Sequence, residues 1–567
     1  MAGVKSLCLC ALSVSVLLAQ TPTDTPQDLA TPPINTASTE NEYYLDDNSP
    51  IDIENPVGQI QTQQDAARQD AAKVAPYTLQ SASARAITIP TGVDLQTYLN
   101  NAQPGDTLIL PAGAVYTGNF TLPNKVGSEW ITITSSRISN LPAGTRVKPS
   151  QASLMPMIVS PNGAAALTAA TGSHNYKIVG IRIATKAGMY NNGLLRIGNG
   201  DEKSLSLLPH DFEIDRVYIH GDPTVGSKRG IALNGIRVTV KNSYISGFKS
   251  DWQDTQAICG WNGPGPFNII NNYLEAAGEN VFFAEGSVIP NVWPSNILIS
   301  RNHIAKPLAW RTQLAPTGRR WAVKNLIEFK SAKRVVIDGN IIENNWLAAQ
   351  IGYAVVIKAG VESKATAAVT EDVTFTNNIV RHAAGAITVQ GKNGKGGYVK
   401  RVTVRNNLFE DINANWGASN GLFLAAPAAD GLVYEHNTAT ATVQPKGLFI
   451  GDQGTGAGFV FRSNIGPRGA IGFKGSGLPE GIATLNTLFP GWKFTANVIF
   501  GSGGSTSLYP YGTYMPLSAS NVGFVSNTNW GLTSTSVYNN IGHDGTDIGV
   551  NWNSLVSATS KSLSGLP

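Results

Sequence analysis

Carboxylates, amides and aromatic rings crowd together in residues 251–286, DWQDTQAICGWNGPGPFNIINNYLEAAGENVFFAEG, where Asp254, Gln256, Trp261, Glu275, Glu279, Asn280 and Glu285 lie within one short run. Further on, the string IEFKS supplies Glu328, Lys330 and Ser331, and Lys358 and Gln390 follow at intervals of one repeat each. Two chemistries fit these residue types. Elimination on a uronate needs a base beside the carboxylate and positive charge to stabilise an enolate-like transition state. Lys330 or Lys358 would be the base, because stacked lysines depress each other's pKa, and Arg311, Arg229 or Arg301 would meet the carboxylate. Glu279, Glu285 and Glu328 would then have supporting or metal roles. Hydrolysis needs two carboxylates flanking the bond. Glu285 and Glu328 are the expected pair, roughly 8 Å apart at the backbone if they sit on neighbouring strands, with Asp254 and Glu279 as alternative members. The plain alternative is a ladder of solvated surface charges, which contributes little.

Rings and polar groups that could hold a sugar occur in the same third of the chain. Trp261, Trp310, Trp346 and Tyr353 are the expected stacking surfaces, with Gln256, Asn280, Gln390 and His220 as polar contacts. Trp252, Trp321 and Trp416 lie among them, and some of these rings must pack under long loops.

What positions these groups is a repeat. An alternating strand, a polar pair and a second apolar step recur as VTVKNSYI, FNIINNYL, ILISRNHI, VVIDGNII, VTFTNNIV, VTVRNNLF, LVYEHNTA, FVFRSNIG and WKFTANVI. The repeated Asn falls at 242, 272, 302, 340, 378, 407, 437, 464 and 497, and YKIVGIRI and FEIDRVYI precede the series without it. The interval is about 26 to 38 residues, that of a solenoid. Short strands with no long helical pattern between them predict a parallel β-helix, with coils stacked about 4.8 Å apart. The Asn would adopt the left-handed backbone of a turn and bond its equivalent one coil away. A second strand in each coil, including 281–285, 326–330, 354–358 and 386–390, would turn Glu328 and Lys330 outward, so that Glu285, Lys330, Lys358 and Gln390 form one climbing stripe. Asp94 should cap a helix over 95–102 that closes the first coil, and the final residues, HDGTDIGVNWNSLVSATSKSL, read as the far cap.

Composition agrees. Of 567 residues only 14% are charged and 59 are Gly, a profile for strands and tight turns. Residues 1–19 read as an export signal, with Lys5 before an apolar run too short to span a membrane. Residues 20–86 read as a disordered acidic linker, and 87–567 as the β-helix with its caps. The linker is acidic by about eight charges, so the +4 net charge leaves a basic body suited to an anionic partner. Removal of Cys8 and Cys10 with the signal leaves Cys259 alone, so no intramolecular disulfide is expected.

The repeat, the opening PGDTLILPAG and the export signal together resemble secreted bacterial right-handed parallel β-helix proteins of the pectin-lyase-like group. The resemblance covers residue 87 to the C-terminus and implies the fold. It also implies work on polysaccharides, since the group holds lyases, polygalacturonases, epimerases and phage tailspikes. The polygalacturonase pattern is missing apart from Asp46-Asp47 in the leader. IEFKS is similar to the Glu and Lys-Ser of alginate and chondroitin lyases, but its Glu-to-Lys spacing is shorter, so no calcium site carries over. No cofactor is required by these residues, and calcium is the one left open. The seven His show no metal-binding spacing, and Gly417-Ala-Ser419-Asn-Gly421 leads into a strand, the wrong context for a serine nucleophile. The expectation is a secreted, monomeric lyase acting on an anionic polysaccharide, with no nucleic-acid partner and no membrane span. A glycoside hydrolase and a non-catalytic glycan-binding protein are the alternatives.

Overall fold

The computed structural model describes residues 51–52, 54–73, 84–284, 287–360, 367–392, 397–417, 421–426, 429–441, 443–452 and 454–566. The residues read as an export signal and most of those read as an acidic linker lie outside the described residues, as do Glu285 and the Ser419 string between its glycines.

Each repeat lays down three short strands, for example Ile236–Lys241, Tyr244–Phe248 and Gln256–Gly260. Their parallel stacking builds a 14-stranded sheet A, a 13-stranded sheet B and a 12-stranded sheet C, which close into a right-handed parallel β-helix. Register follows the alternation read from sequence. Ile231, Ile258, Val281, Ile327, Val355, Ile387 and Phe423 pair in succession across sheet C, and all are buried in the continuous core. Such a row removes one large apolar side chain per coil from water, about 2 kcal/mol each. Outward residues of the same strands are left for chemistry.

The corner between sheets A and B carries the asparagine ladder. Asn272 N–H donates to Asn302 Oδ1 (2.8 Å), Asn302 N–H to Asn340 Oδ1 (2.9 Å), and Asn340 N–H to Asn378 Oδ1 (2.9 Å). These side chains are fully buried, so each amide supplies partners that water cannot. The turn and the ladder, expected of one Asn, are divided between two neighbours. The left-handed residue is the one before the ladder Asn: Asn271 (φ 55°), Arg301 (54°), Gly339 (66°), Asn377 (53°) and His436 (52°). Asn242 (φ 53°) is a turning residue whose amide also bonds between coils, accepting from Asn271 Nδ2 (2.9 Å) and donating to Asp215 Oδ1 (2.8 Å). Ser243 takes the inner ladder position in its coil, its N–H donating to Asn272 Oδ1 (2.9 Å). One residue cannot both swing the chain around the corner and aim its amide inward.

Four α-helices complete the body among the described residues. α1, Pro56–Lys73, falls within the stretch read as a disordered linker and corrects that reading for its residues. Its Ile60 is buried against Leu298 and Val336 on the outer face of sheet A, and Gln64 Nε2 donates to Asn296 O (3.1 Å). A polar helix with one buried apolar residue per two turns has too weak a period to show in the sequence. α2, Leu95–Asn101, is capped by Asp94, which accepts from Gln96 and Thr97 N–H, and it buries Leu95 and Leu99 as expected. α3, Ile482–Leu488, lies at the far end, where Leu485 and Leu488 join the core with Phe489 and Tyr509.

α4, Trp552–Thr559, is not the far cap that the sequence suggested. Residues 540–566 instead run back along the A–B corner as a strap. Gly549 N–H donates to Ser463 O (2.8 Å), Val550 N–H to Thr438 Oγ1 (2.9 Å) and Asn551 N–H to Asn406 Oδ1 (2.6 Å). Leu555 packs with Leu408, Ser562 Oγ donates to Gly339 O (2.6 Å), and Gly565 O accepts from Arg146 N–H (2.7 Å). No helix among the described residues is long and apolar enough to cross a membrane.

Candidate active site

The outer face of sheet C divides into an open half and a covered half. In the open half Thr121, Thr168, Arg196 and Ala232 stand one above another through the strand register. They floor a groove of about 590 Å³ walled by Asn119, Asn192, Lys228, Arg229 and Trp261. Trp261 is fixed by its loop, because Asn234 Oδ1 accepts from both Trp261 and Asn262 N–H (2.8 and 3.0 Å). A Cβ on Gly200 would lie 1.9 Å from Trp261 Nε1, so only glycine allows the indole to seat there. The Arg229 guanidinium rests over the Trp261 ring at 4.7 Å. Nearby, exposed Trp252 leans on Tyr190 (ring centroids 5.8 Å), whose hydroxyl accepts from Gln253 Nε2 (2.7 Å).

From Arg229 a polar relay runs into the covered half. Arg229 Nε donates to Gln256 Oε1 (3.1 Å), and Gln256 Nε2 donates to Glu279 Oε2 (2.9 Å). Glu279 Oε1 pairs with Lys324 (2.9 Å), and Lys324 pairs with Asp254 (2.5 Å). On the next strand, Glu328 pairs with Lys358 (2.9 Å) and accepts from Asn325 Nδ2 (2.5 Å), which also reaches Gln350 Oε1 (2.9 Å). The Lys358 contact is an ion pair by distance, and Glu328 Oε1 has no directed hydrogen bond. Glu279 and Glu328 are each 1% exposed, whereas Asp254 is 48% exposed.

Burial and the charges of Glu328 and Asp254 push the Glu279 carboxyl above the usual carboxylate range, against the pull of Lys324. Burial works against the Lys324 charge, yet Glu279 and Asp254 hold its ammonium above the ordinary lysine value. In the open groove burial, together with neighbouring Arg229, pushes the Lys228 ammonium down. Beneath the covered half, burial takes Lys306 down to about 7. Its Nζ donates to Ala276 O, Gly278 O, Asn280 Oδ1 and Asn325 O at 2.8 to 2.9 Å, tying three loops together.

Of the residues expected from sequence, Arg229, Gln256, Glu279, Asp254, Glu328 and Lys358 converge in this relay, and Trp261 lines the groove. Others do not. Lys330 lies over the Phe282 ring (5.2 Å), and Lys358 is paired to Glu328 (2.9 Å). Arg311 covers the Trp416 and Trp346 rings (4.8 and 6.0 Å), and its guanidinium donates to Asn415 O (3.1 Å). Trp310 and Trp321 of the loop 306–323 are buried in a cluster with Trp346 and Trp416, and Tyr353 is buried too, so none of these rings offers a face to a sugar. Asn280 is structural, donating to Leu274 O and Ala305 O (both 2.8 Å). His220 sits on sheet B, accepting from Arg182 Nε (3.0 Å), and Gln390, the register partner of Lys358, lies three strands beyond the Glu279 strand. Sequence reasoning missed Arg196, Lys228 as a site residue, Lys324, Asn325 and Gln350. The adjacent Lys228-Arg229 at the start of a sheet C strand was the available signal.

Residues 229–460 match the family model for a right handed beta helix region. No curated protein matches the sequence. Among solved structures, the chain is similar to an alginate lyase from Paenibacillus sp. (12% identity, 76% of this chain and 99% of that one, TM-score 0.29). It is also similar to the catalytic unit of a GH87 alpha-1,3-glucanase from Streptomyces thermodiastaticus (12% identity, 79% and 70%, TM-score 0.43). A tailspike protein of an E. coli bacteriophage, solved with a pentasaccharide, gives 13% identity over 78% and 66% of the chains, with a TM-score of 0.39. These likenesses are at the level of the fold.

Proposed function

We propose that this protein is a carbohydrate-active enzyme that cleaves a uronate-containing polysaccharide by β-elimination in the groove over sheet C. The observation that carries the reading is the groove itself. It places Lys228, whose charge is weakened by burial and Arg229, beside Arg196, Arg229 and the Trp261 ring. Arg229 and Arg196 hold the substrate carboxylate and take up the charge that develops on it. Neutral Lys228 Nζ removes the C5 proton, the electron pair forms the C4–C5 double bond, the C4–O bond breaks, and the departing oxygen takes a proton from water. Trp261 and exposed Trp252 give flat surfaces for neighbouring sugars. Glu279 acts through Gln256, which it orients so that the amide oxygen faces Arg229.

A second reading rests on Glu279, raised above the usual carboxylate range next to Glu328, as the acid of a hydrolase with Glu328 as its base. The covered position of both carboxylates and their lysine partners weigh against it.

The test is incubation of purified protein with acidic and neutral polysaccharides, following ultraviolet absorbance from unsaturated uronates together with reducing ends. Absorbance that rises with reducing ends and is abolished by Lys228→Ala is the expected result. Reducing ends without absorbance, lost in Glu279→Gln, would replace elimination by hydrolysis. Activity untouched by Lys228→Ala and Arg229→Ala would place the chemistry elsewhere.

A further inference from the structure

At the far end of the A–B corner, three side chains gather that the groove chemistry does not use. His436 belongs to the solenoid, in the turn before ladder residue Asn437. His543 and Asp544 belong to the C-terminal strap. One donor atom from each lies within 4.8 Å of the other two.

The outer contacts of the three residues are arranged as they are around metal ligands. His436 Nδ1 is 3.3 Å from Gly549 O, so it carries the hydrogen, and the lone pair of Nε2 then faces Asp544 Oδ2 at 3.1 Å. Two lone pairs at that distance repel unless a proton on Nε2 or a metal ion lies between them. Asp544 Oδ1 is occupied by Thr546 N–H (3.0 Å) and the Thr546 hydroxyl (2.8 Å), which leaves Oδ2 for the shared centre. His543 Nδ1 is held by Ser463 Oγ (2.8 Å), a residue that is itself buried, and this leaves Nε2 available. The nearest further carboxylate, Glu435, is 3.9 Å from His543 Nε2 and is engaged by Arg462 (2.8 Å). A tetrahedral ion with bonds of about 2.0 Å needs donors about 3.3 Å apart, close to the 3.1 Å between His436 Nε2 and Asp544 Oδ2 and within the 4.8 Å that bounds all three donors. Beside His436 lies a cavity of about 420 Å³, lined by Asn540, Thr546, Asp547 and Gly549, through which solvent reaches that imidazole.

We infer that His436, His543 and Asp544 bind a divalent transition-metal ion, of which zinc is the type, and that this ion fastens the strap to the solenoid. Two imidazoles and one carboxylate suit zinc and its neighbours rather than calcium or magnesium, which take oxygen donors. The simpler account of the same geometry is a protonated His436 hydrogen-bonded to Asp544, and it predicts no metal dependence.

The experiment uses full-length, tag-free protein, stripped with chelator and titrated with zinc by calorimetry. The same samples are then digested by protease with and without the ion. One zinc per chain is expected, with affinity reduced at least tenfold in His543→Ala and in Asp544→Asn, and unchanged in His174→Ala. Cleavage within residues 540–566 should slow on adding zinc in the parent protein and not in Asp544→Asn. Absence of a one-to-one site, or equal binding by parent and Asp544→Asn, overturns the metal site. Zinc that binds without slowing cleavage of the strap overturns its fastening role. Should His543→Ala fail to fold, Asp544→Asn, which preserves shape, still decides.

Discussion

The two halves of the sheet C face are built by successive strands of one sheet in the same inward-outward register, and they differ in what covers them. Around Arg196 and Lys228 the surrounding loops are small, with Gly163, Ala164, Ala165 and Gly193 at the wall, and basic groups face an open groove. Around Glu328 the loop 306–323 folds back, its Trp310 and Trp321 pack with Trp346 and Trp416, and each carboxylate has a lysine. A solenoid therefore supplies a uniform platform on which loop length selects the working coil. Outward-facing charge in a sheet C strand is not by itself evidence of a site.

The comparison predicts a dissociation. Changes in the open half should alter activity and leave stability alone, and changes in the covered half should do the reverse. Arg229→Ala should have the largest effect, about a thousandfold loss of kcat/KM, or about 4 kcal/mol of transition-state stabilisation, with Tm unchanged. Lys306→Met should lower stability by about 3 kcal/mol in denaturant titration, because it strands three carbonyls and an amide oxygen in a buried site. Unaltered stability there would deny the covered half its structural role. The pH profile comes next. The neutral amine of Lys228 is the active form, so kcat/KM should rise about tenfold per pH unit on the acid side. It should level at a pKa below the ordinary lysine value of about 10.4, as burial and Arg229 require. A profile that falls with rising pH would instead implicate an acid such as Glu279. Gln256→Leu cuts the relay while keeping bulk, and should raise KM about fivefold with a small change in kcat. Lys330→Ala, finally, should stay within twofold of the parent in activity.

The repeat was legible because every coil must bury one alternating strand against the last. Ile258, Val281 and Ile327 therefore carry the same pattern at each turn of the solenoid. The cap at Asp94 was legible for a similar reason, since its hydrogen bonds are local. Whether a ring is covered depends on loops that meet only in three dimensions, and so Trp310 and Trp346 read as sugar platforms when they are packing. The groove escaped notice because its floor comes from the early coils, YKIVGIRI and FEIDRVYI, which lack the repeated Asn. The direction of the last residues was also hidden, since an amphipathic α4 suits the end of a solenoid as well as its flank.

That direction has a consequence for how the protein can change over time. Solenoids commonly lengthen or shorten by gaining or losing whole repeats, because each unit meets only its neighbours. Here the strap touches Ser463 at one end of its path and, through Gly565 and Asn271, a corner several coils earlier at the other. A duplicated coil between those points would lengthen the corner by about 4.8 Å, and the strap would no longer reach both its anchors. The C-terminal segment thus serves as a ruler, fixing the number of coils between residues 271 and 463 and leaving repeat gain or loss to the coils outside that span.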